Sequence, residues 1–192
     1  LPPPAESPQF PFFKNRQAAS GIDLSPDSGA TGDCAVADFD GDRFPDVVHV
    51  SAGGTGRLRL FLNQGDGTFR DASSAFAIDS HPGGIRVLPG DFDNDGDVDL
   101  FVLRGNRFPN SLLENADGKT FRDITESAGL LDFFDGKAAT WTDYDQDGWL
   151  DLCVVNDNAD RADPRLQLFH NSGDGTFSDL AWDMRIALTK EA

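Results

Sequence analysis

Three nine-residue segments place aspartate at alternate positions: Asp38-Phe-Asp-Gly-Asp-Arg-Phe-Pro-Asp46, Asp91-Phe-Asp-Asn-Asp-Gly-Asp-Val-Asp99 and Asp143-Tyr-Asp-Gln-Asp-Gly-Trp-Leu-Asp151. Carboxylates packed into one tight turn cannot all stay ionised without a compensating cation. The chemistry on offer is therefore ligation of a hard divalent ion by oxygen. The candidate ligands are the side chains of the first, third, fifth and ninth residues and the backbone carbonyl of the seventh. In the first segment these are Asp38, Asp40, Asp42 and Asp46 with the Phe44 carbonyl. In the second they are Asp91, Asp93, Asp95 and Asp99 with the Asp97 carbonyl, and in the third Asp143, Asp145, Asp147 and Asp151 with the Trp149 carbonyl. An all-oxygen loop of this kind suits Ca²⁺ better than Mg²⁺, which demands octahedral geometry and keeps its waters. Three calcium sites are expected. Gly96 and Gly148 stand at the sixth position, where the chain turns sharply, but the first segment has Arg43 there and Gly41 at the fourth. Altered geometry or weaker binding is expected of that loop. An EF-hand is excluded, because its bidentate Glu at position twelve is replaced by His49, Val102 and Val154.

These loops recur with a long period. Their first residues stand 53 and then 52 positions apart, from 38 to 91 and from 91 to 143. Each loop is followed by an apolar run (Val47–Val50, Leu100–Leu103, Leu152–Val155) and then by a second strand pattern ending in Asn63, Asn115 or Asn171. Asp-Gly pairs at 66–67, 117–118 and 174–175 supply the positive φ angles of a tight turn, and Phe69, Phe121 and Phe177 open the next element. Each unit of about 52 residues thus reads as strand, acidic loop, strand, hairpin, strand, turn and outer strand. The expected fold is all-β, with three four-stranded antiparallel propeller-type blades forming a partial or oligomer-completed β-propeller. The expected divisions are 1–22 (an N-terminal arm with an extra outer strand), 23–79, 80–132, and 133–192 with the C-terminal tail. Only residues 181–192 read as helical.

Composition narrows the partners. With 33 acidic and 16 basic residues, the net charge of −17 repels nucleic acid and anionic lipid. The 16 Phe and 3 Trp argue for a packed protein rather than a disordered acidic chain. No apolar run is long enough to span a membrane as a helix. The start, Leu1-Pro-Pro-Pro, reads as the mature end left by removal of a signal peptide, although an arbitrary chain boundary would look the same. Cys34 and Cys153 have no metal-ligand spacing and read first as small buried hydrophobes, with a disulfide open to them if the protein is exported.

No catalytic constellation emerges, and the chain is not expected to be an enzyme. His49 and His170 fall in strand patterns and His81 in a turn; GxSxG, HExxH and phosphate-cradling loops are missing. A glycan- or protein-binding propeller module, or a fragment of a larger adhesin, is the rival reading; in it Trp141, Trp149 and Trp182 stack on glycan rings, although core or interblade packing is the commoner use of such residues.

Ala37-Asp-Phe-Asp-Gly-Asp42, Gly90-Asp-Phe-Asp-Asn-Asp-Gly96 and the Asn-x-Gly-Asp-Gly-Thr-Phe runs at 63–69 and 171–177 resemble the FG-GAP/VCBS repeats, the calcium-binding propeller repeats of integrin α-subunits. The likeness spans about residues 13 to 180 and is nearest to the units also seen in cartilage acidic proteins. It implies calcium at the Asp-rich loops and a secreted, extracellular or cell-surface adhesive or scaffold role. Such propellers usually close with about seven blades, and three cannot close a ring.

The outer-strand pattern Phe121–Leu130 has counterparts at 69–78, 177–186 and, before any acidic loop, 13–22. Four outer strands for three loops suggest that residues 10–22 complete or cap a blade of a neighbouring copy. Such a head-to-tail contact yields a filament or a ring. Cys34 and Cys153 would then be neighbours across the joint.

Overall fold

The computed structural model describes residues 17–24, 32–51, 56–105, 108–131, 135–157 and 165–180. The expected helix at 181–192 and the strand residues 13–16 lie outside these. The described chain is all-β apart from one α-helical turn, Gln17–Ser20, and a 3-10 turn at Ile78–Ser80. Twelve strands form three antiparallel four-stranded sheets in simple sequential order. The first contains β1 (Gly32–Ala37), β2 (Asp46–Ser51), β3 (Leu58–Asn63) and β4 (Phe69–Asp71). The second contains β5 (Arg86–Gly90), β6 (Asp99–Leu103), β7 (Ser111–Ala116) and β8 (Thr120–Asp123), and the third β9 (Asp135–Thr142), β10 (Asp151–Asp157), β11 (Arg165–Asn171) and β12 (Phe177–Asp179). These are the three propeller-type blades. They stand side by side without closing into a ring: β1 lies against β5, and β5 against β9.

The core explains why the second strand of each blade is apolar without alternation. A blade stacked on both faces buries both faces. Val48 and Val50 share a core with Leu100 and Val102 of the second blade. The intervening residues Phe101 and Leu103 point the other way, into a core with Leu152 and Val154 of the third. Trp141 belongs to this second interface, edge-on to Phe101 at 6.2 Å between centroids, with its Nε1 donating to the Leu88 carbonyl at 3.4 Å.

A second repeated joint ties each blade's tail to the next blade. After the outer strand, Asp71 Oδ1 accepts the Ser73 amide, and the Ser73 hydroxyl in turn accepts the Leu60 amide; Asp123, Thr125 and Leu112 do the same. The turn so formed presents the Phe76 carbonyl to the Phe121 amide and the Ala128 carbonyl to the Phe177 amide, both at 2.9 Å. Residues 17–24 occupy the corresponding place on the first blade. Gly21, at φ 81°, lies so close to Phe69 that a Cβ would stand 2.3 Å from its carbonyl oxygen, and the Arg59 guanidinium reaches the Asp23 carbonyl. This stretch behaves as the tail of a blade that would precede the first.

Candidate metal centres

Each acidic loop joins the innermost strand of a blade to the second, and each is shaped by its own carboxylates. The first aspartate closes the turn by accepting the amide of the sixth residue: Asp38 from Arg43 at 2.8 Å, Asp91 from Gly96 at 3.1 Å and Asp143 from Gly148 at 3.2 Å. The fifth accepts from the seventh, as Asp42 from Phe44, Asp95 from Asp97 and Asp147 from Trp149, all within 2.8–2.9 Å. These bonds place the residues whose carbonyls the sequence assigns as ligands.

The backbone is common to all three loops. The fourth residue has positive φ in each (Gly41 76°, Asn94 57°, Gln146 63°), and so does the sixth (Arg43 73°, Gly96 95°, Gly148 93°). The backbone of the first loop thus matches the other two despite Arg43. Arg43 takes the left-handed conformation at a strain of roughly 1 kcal/mol. The ring of Phe44 lies on Gly65 and that of Trp149 on Gly173, where added Cβ atoms would approach to 2.9 and 2.8 Å. These contacts pin the first and third loops to the turn after the third strand.

The carboxylates converge. One oxygen each from Asp38, Asp40 and Asp42 lie within 4.8 Å of one another, as do those of Asp91, Asp93 and Asp99, and those of Asp143, Asp145 and Asp147. Asp95 stays outside its triad, and so does Asp46, although each stays coupled to its loop: burial first, then Asp95, raises the pKa of Asp93, and burial first, then Asp40 and Asp42, raises that of Asp46. Burial, with the neighbouring carboxylates adding to it, lifts Asp40 and Asp93 above the ordinary carboxylate range. Asp91 Oδ1 is buried with no hydrogen-bond partner in the structure. An orphaned anionic oxygen beside two other carboxylates fits a cation, and the donor set is hard oxygen throughout.

The ninth residues carry a second duty that the sequence did not disclose. Asp46, Asp99 and Asp151 are fully buried. Each bridges two amides: Asp46 accepts from Phe39 and Asn63, Asp99 from Phe92 and Asn115, and Asp151 from Tyr144 and Asn171, at 2.8–3.2 Å. They brace the loop against the third strand. Burial raises Asp46, and pushes Asp99 up to about 8 against the pull of its two amide donors.

The loops are also wired to the next blade. Asn115 Nδ2 donates to the Val98 carbonyl of its own loop (3.2 Å) and to the Phe39 carbonyl of the preceding one (2.9 Å). Asn171 does the same with Leu150 (3.1 Å) and Phe92 (2.8 Å). Asn94 Nδ2 reaches the Gly148 carbonyl directly, 3.0 Å from loop to loop. The signal for the clamps was present as an asparagine at the end of the third strand in every copy.

The residue before that asparagine distinguishes the sites: Leu62, Glu114 and His170. His170 Nδ1 lies 3.3 Å from Asp151 and 3.5 Å from Asp145, so it joins the third cluster. Of the other residues considered for chemistry, His81 Nε2 faces the Phe121 carbonyl at 3.4 Å. Trp141 is taken up by packing between blades, and Trp182 lies outside the described residues. Cys34 is exposed and Cys153 half-buried, both as free thiols, so the buried-hydrophobe expectation is corrected. The reason is position: each lies on an outward face of the three-blade stack.

The profile of the FG-GAP-like repeat matches residues 38–102, 91–154 and 143–188. Cartilage acidic protein 1 of Homo sapiens is 29% identical over 171 residues, covering 84% of this chain and 25% of that protein. Its Xenopus tropicalis counterpart is 32% identical over 168 residues, covering 77% of this chain and 25% of the relative. The chain thus spans about a quarter of the length of these relatives. It belongs to the FG-GAP-like repeat family.

Proposed function

We propose that this FG-GAP-like repeat protein is an extracellular calcium-binding building block, holding three ions and assembling head-to-tail rather than catalysing a reaction. The observation that carries the reading is the threefold recurrence of one loop geometry, with carboxylate oxygens gathered within 4.8 Å in each blade. Asp38, Asp40 and Asp42 would hold the first ion with Asp46 behind them. Asp91, Asp93 and Asp99 would hold the second with Asp95, and Asp143, Asp145, Asp147 and Asp151 the third. The carbonyls of Phe44, Asp97 and Trp149 complete the sets.

The ion supplies positive charge that lets these carboxylates stay ionised side by side. Because the first and second loops also accept a clamp from the next blade, loading either site would stiffen a joint between blades as well as its own turn. Sites of this exposed kind suit the millimolar calcium outside cells. The acidic character, and relatives named for cartilage, support an extracellular setting. Head-to-tail assembly is supported by residues 17–24, which sit on the first blade as the tail of a preceding one.

Calcium titration followed by sedimentation velocity tests the reading. Calcium-dependent growth beyond the monomer is expected, reversed by a chelator. A chain that binds no calcium, or whose mass is indifferent to it, would overturn the proposal.

A further inference from the structure

The residue before the asparagine that ends the third strand sets the three loops apart chemically. Leu62 is buried in an apolar core and offers the first loop no ligand. Glu114 adds its negative charge to that around Asp93 in the second. His170 brings the third an imidazole, the one nitrogen donor in these carboxylate clusters among the described residues.

His170 Nδ1 stands 3.3 Å from Asp151 Oδ1 and 3.5 Å from Asp145 Oδ2. One donor atom from each of the three residues lies within 4.8 Å of the others. Nδ1 is buried, yet it has no hydrogen-bond partner among the described residues. A ring nitrogen held beside two carboxylate oxygens and bonded to neither is placed as a ligand to an ion between them. Ligand atoms around a tetrahedral zinc ion stand ~3.3 Å apart, close to the spacing found.

The triad is braced from behind. Asp151 is fully buried, and its two oxygens accept the amides of Tyr144 at 3.1 Å and Asn171 at 2.8 Å. The ring of His170 meets that of Tyr144 edge-on, with 6.0 Å between centroids. Outer contacts of this kind fix the orientation of metal ligands. Asp145 belongs also to the carboxylate triad with Asp143 and Asp147, so the imidazole set and the all-oxygen set draw on the same side chain.

We propose that the third centre takes a nitrogen-seeking divalent ion, Zn²⁺ or one of its class, in place of calcium, through His170 Nδ1, Asp145 and Asp151. Ca²⁺ is served by oxygen donors, whereas imidazole suits zinc, and two carboxylates with one imidazole leave an open fourth position for solvent. Ligation takes the Nδ1 lone pair and leaves the ring proton on Nε2. The inference rests on the reading of the acidic loops as metal centres and gives the third a different ion. Leu62 and Glu114 leave the first and second loops with oxygen donors, so those two stay with calcium.

The whole chain in millimolar calcium is titrated with Zn²⁺. Bound metals are counted by atomic emission after dialysis, and the imidazole nitrogens are followed by NMR. One zinc ion should bind as the calcium count falls from three to two. The Nδ1 resonance of His170 should move, with those of His49 and His81 unchanged. His170→Leu, which installs the residue of the first loop, should weaken zinc binding by about tenfold or more and keep three calcium ions, the retained calcium showing that it folds. Zinc that leaves the His170 resonance in place, zinc held as tightly by His170→Leu, or no bound zinc overturns the proposal; the last is the result for a plain histidine–carboxylate ion pair. Three calcium ions without zinc leave the calcium reading standing alone. Zinc at His170 in a chain that binds no calcium leaves this inference alone, and a chain that binds neither ion overturns both.

Discussion

Asp99 separates the two duties of the ninth loop residue. Without calcium, its carboxyl, held up to about 8, is protonated at pH 6.5, and each of its oxygens faces one amide, from Phe92 and from Asn115. Asp99→Asn then exchanges one neutral group for another of the same shape. One buried N–H loses its acceptor, a loss of about 1–2 kcal/mol. With calcium at about a hundred times its dissociation constant, one site contributes about 2.7 kcal/mol. If Asp99 also ligates, most of that is lost with the carboxylate, and the variant falls roughly 4 kcal/mol below the calcium-loaded parent. Asp99→Ala strands both amides and should cost about 4 kcal/mol even without calcium. Urea unfolding at pH 6.5, with calcium and with chelator, reads all three proteins. Equal losses for Asp99→Asn in the two conditions would refute the ligand role and leave Asp99 a brace alone.

The same carboxyl gives the calcium-free protein a pH dependence. Its folded pKa stands above the ordinary 3.8, so its contribution to stability is fully present below that value and disappears as pH rises through about 8. Asp46 shifts in the same direction. Calcium-free thermal melts should therefore fall between pH 5 and 8, and calcium uptake near pH 6.5 should release protons into a weakly buffered solution; melts that rise across that range would contradict the assignment. Asn94→Gly keeps the positive φ but deletes the 3.0 Å bond to Gly148. It should reduce coupling between the second and third sites by about twofold to fivefold in a calcium titration, and an unchanged isotherm would show that the bond carries none. Arg43→Gly relieves a left-handed side chain and should stabilise the calcium-free first blade by up to about 1 kcal/mol in urea, whereas a clear loss would mean that the arginine makes a stabilising contact.

Much of the architecture was legible because it is repeated. The spacing of Asp38, Asp91 and Asp143 marked three units, the apolar runs after them marked central strands, and the Asp-Gly pairs marked the turns before Phe69, Phe121 and Phe177. What escaped was the direction of side chains across blade boundaries. Alternation along Leu100–Leu103 cannot tell which neighbour each residue meets, since both are apolar. The bracing duty of Asp46, Asp99 and Asp151 escaped because burial is invisible in a motif. Arg43 read as a departure because the loop's conformation was attributed to glycine, whereas the Asp38 carboxylate holding its amide also imposes it. His170 entered the third site only through the register of β11, and residues 13–16, expected to be strand, lie outside the described residues.

The most direct test of the account is a count of bound calcium. Equilibrium dialysis of the whole chain in millimolar calcium, with the metal measured by atomic emission, should give three ions per chain, falling to two in Asp93→Ala. A chain that retains none, or a count that Asp93→Ala does not change, would contradict the assignment of these loops as the metal centres.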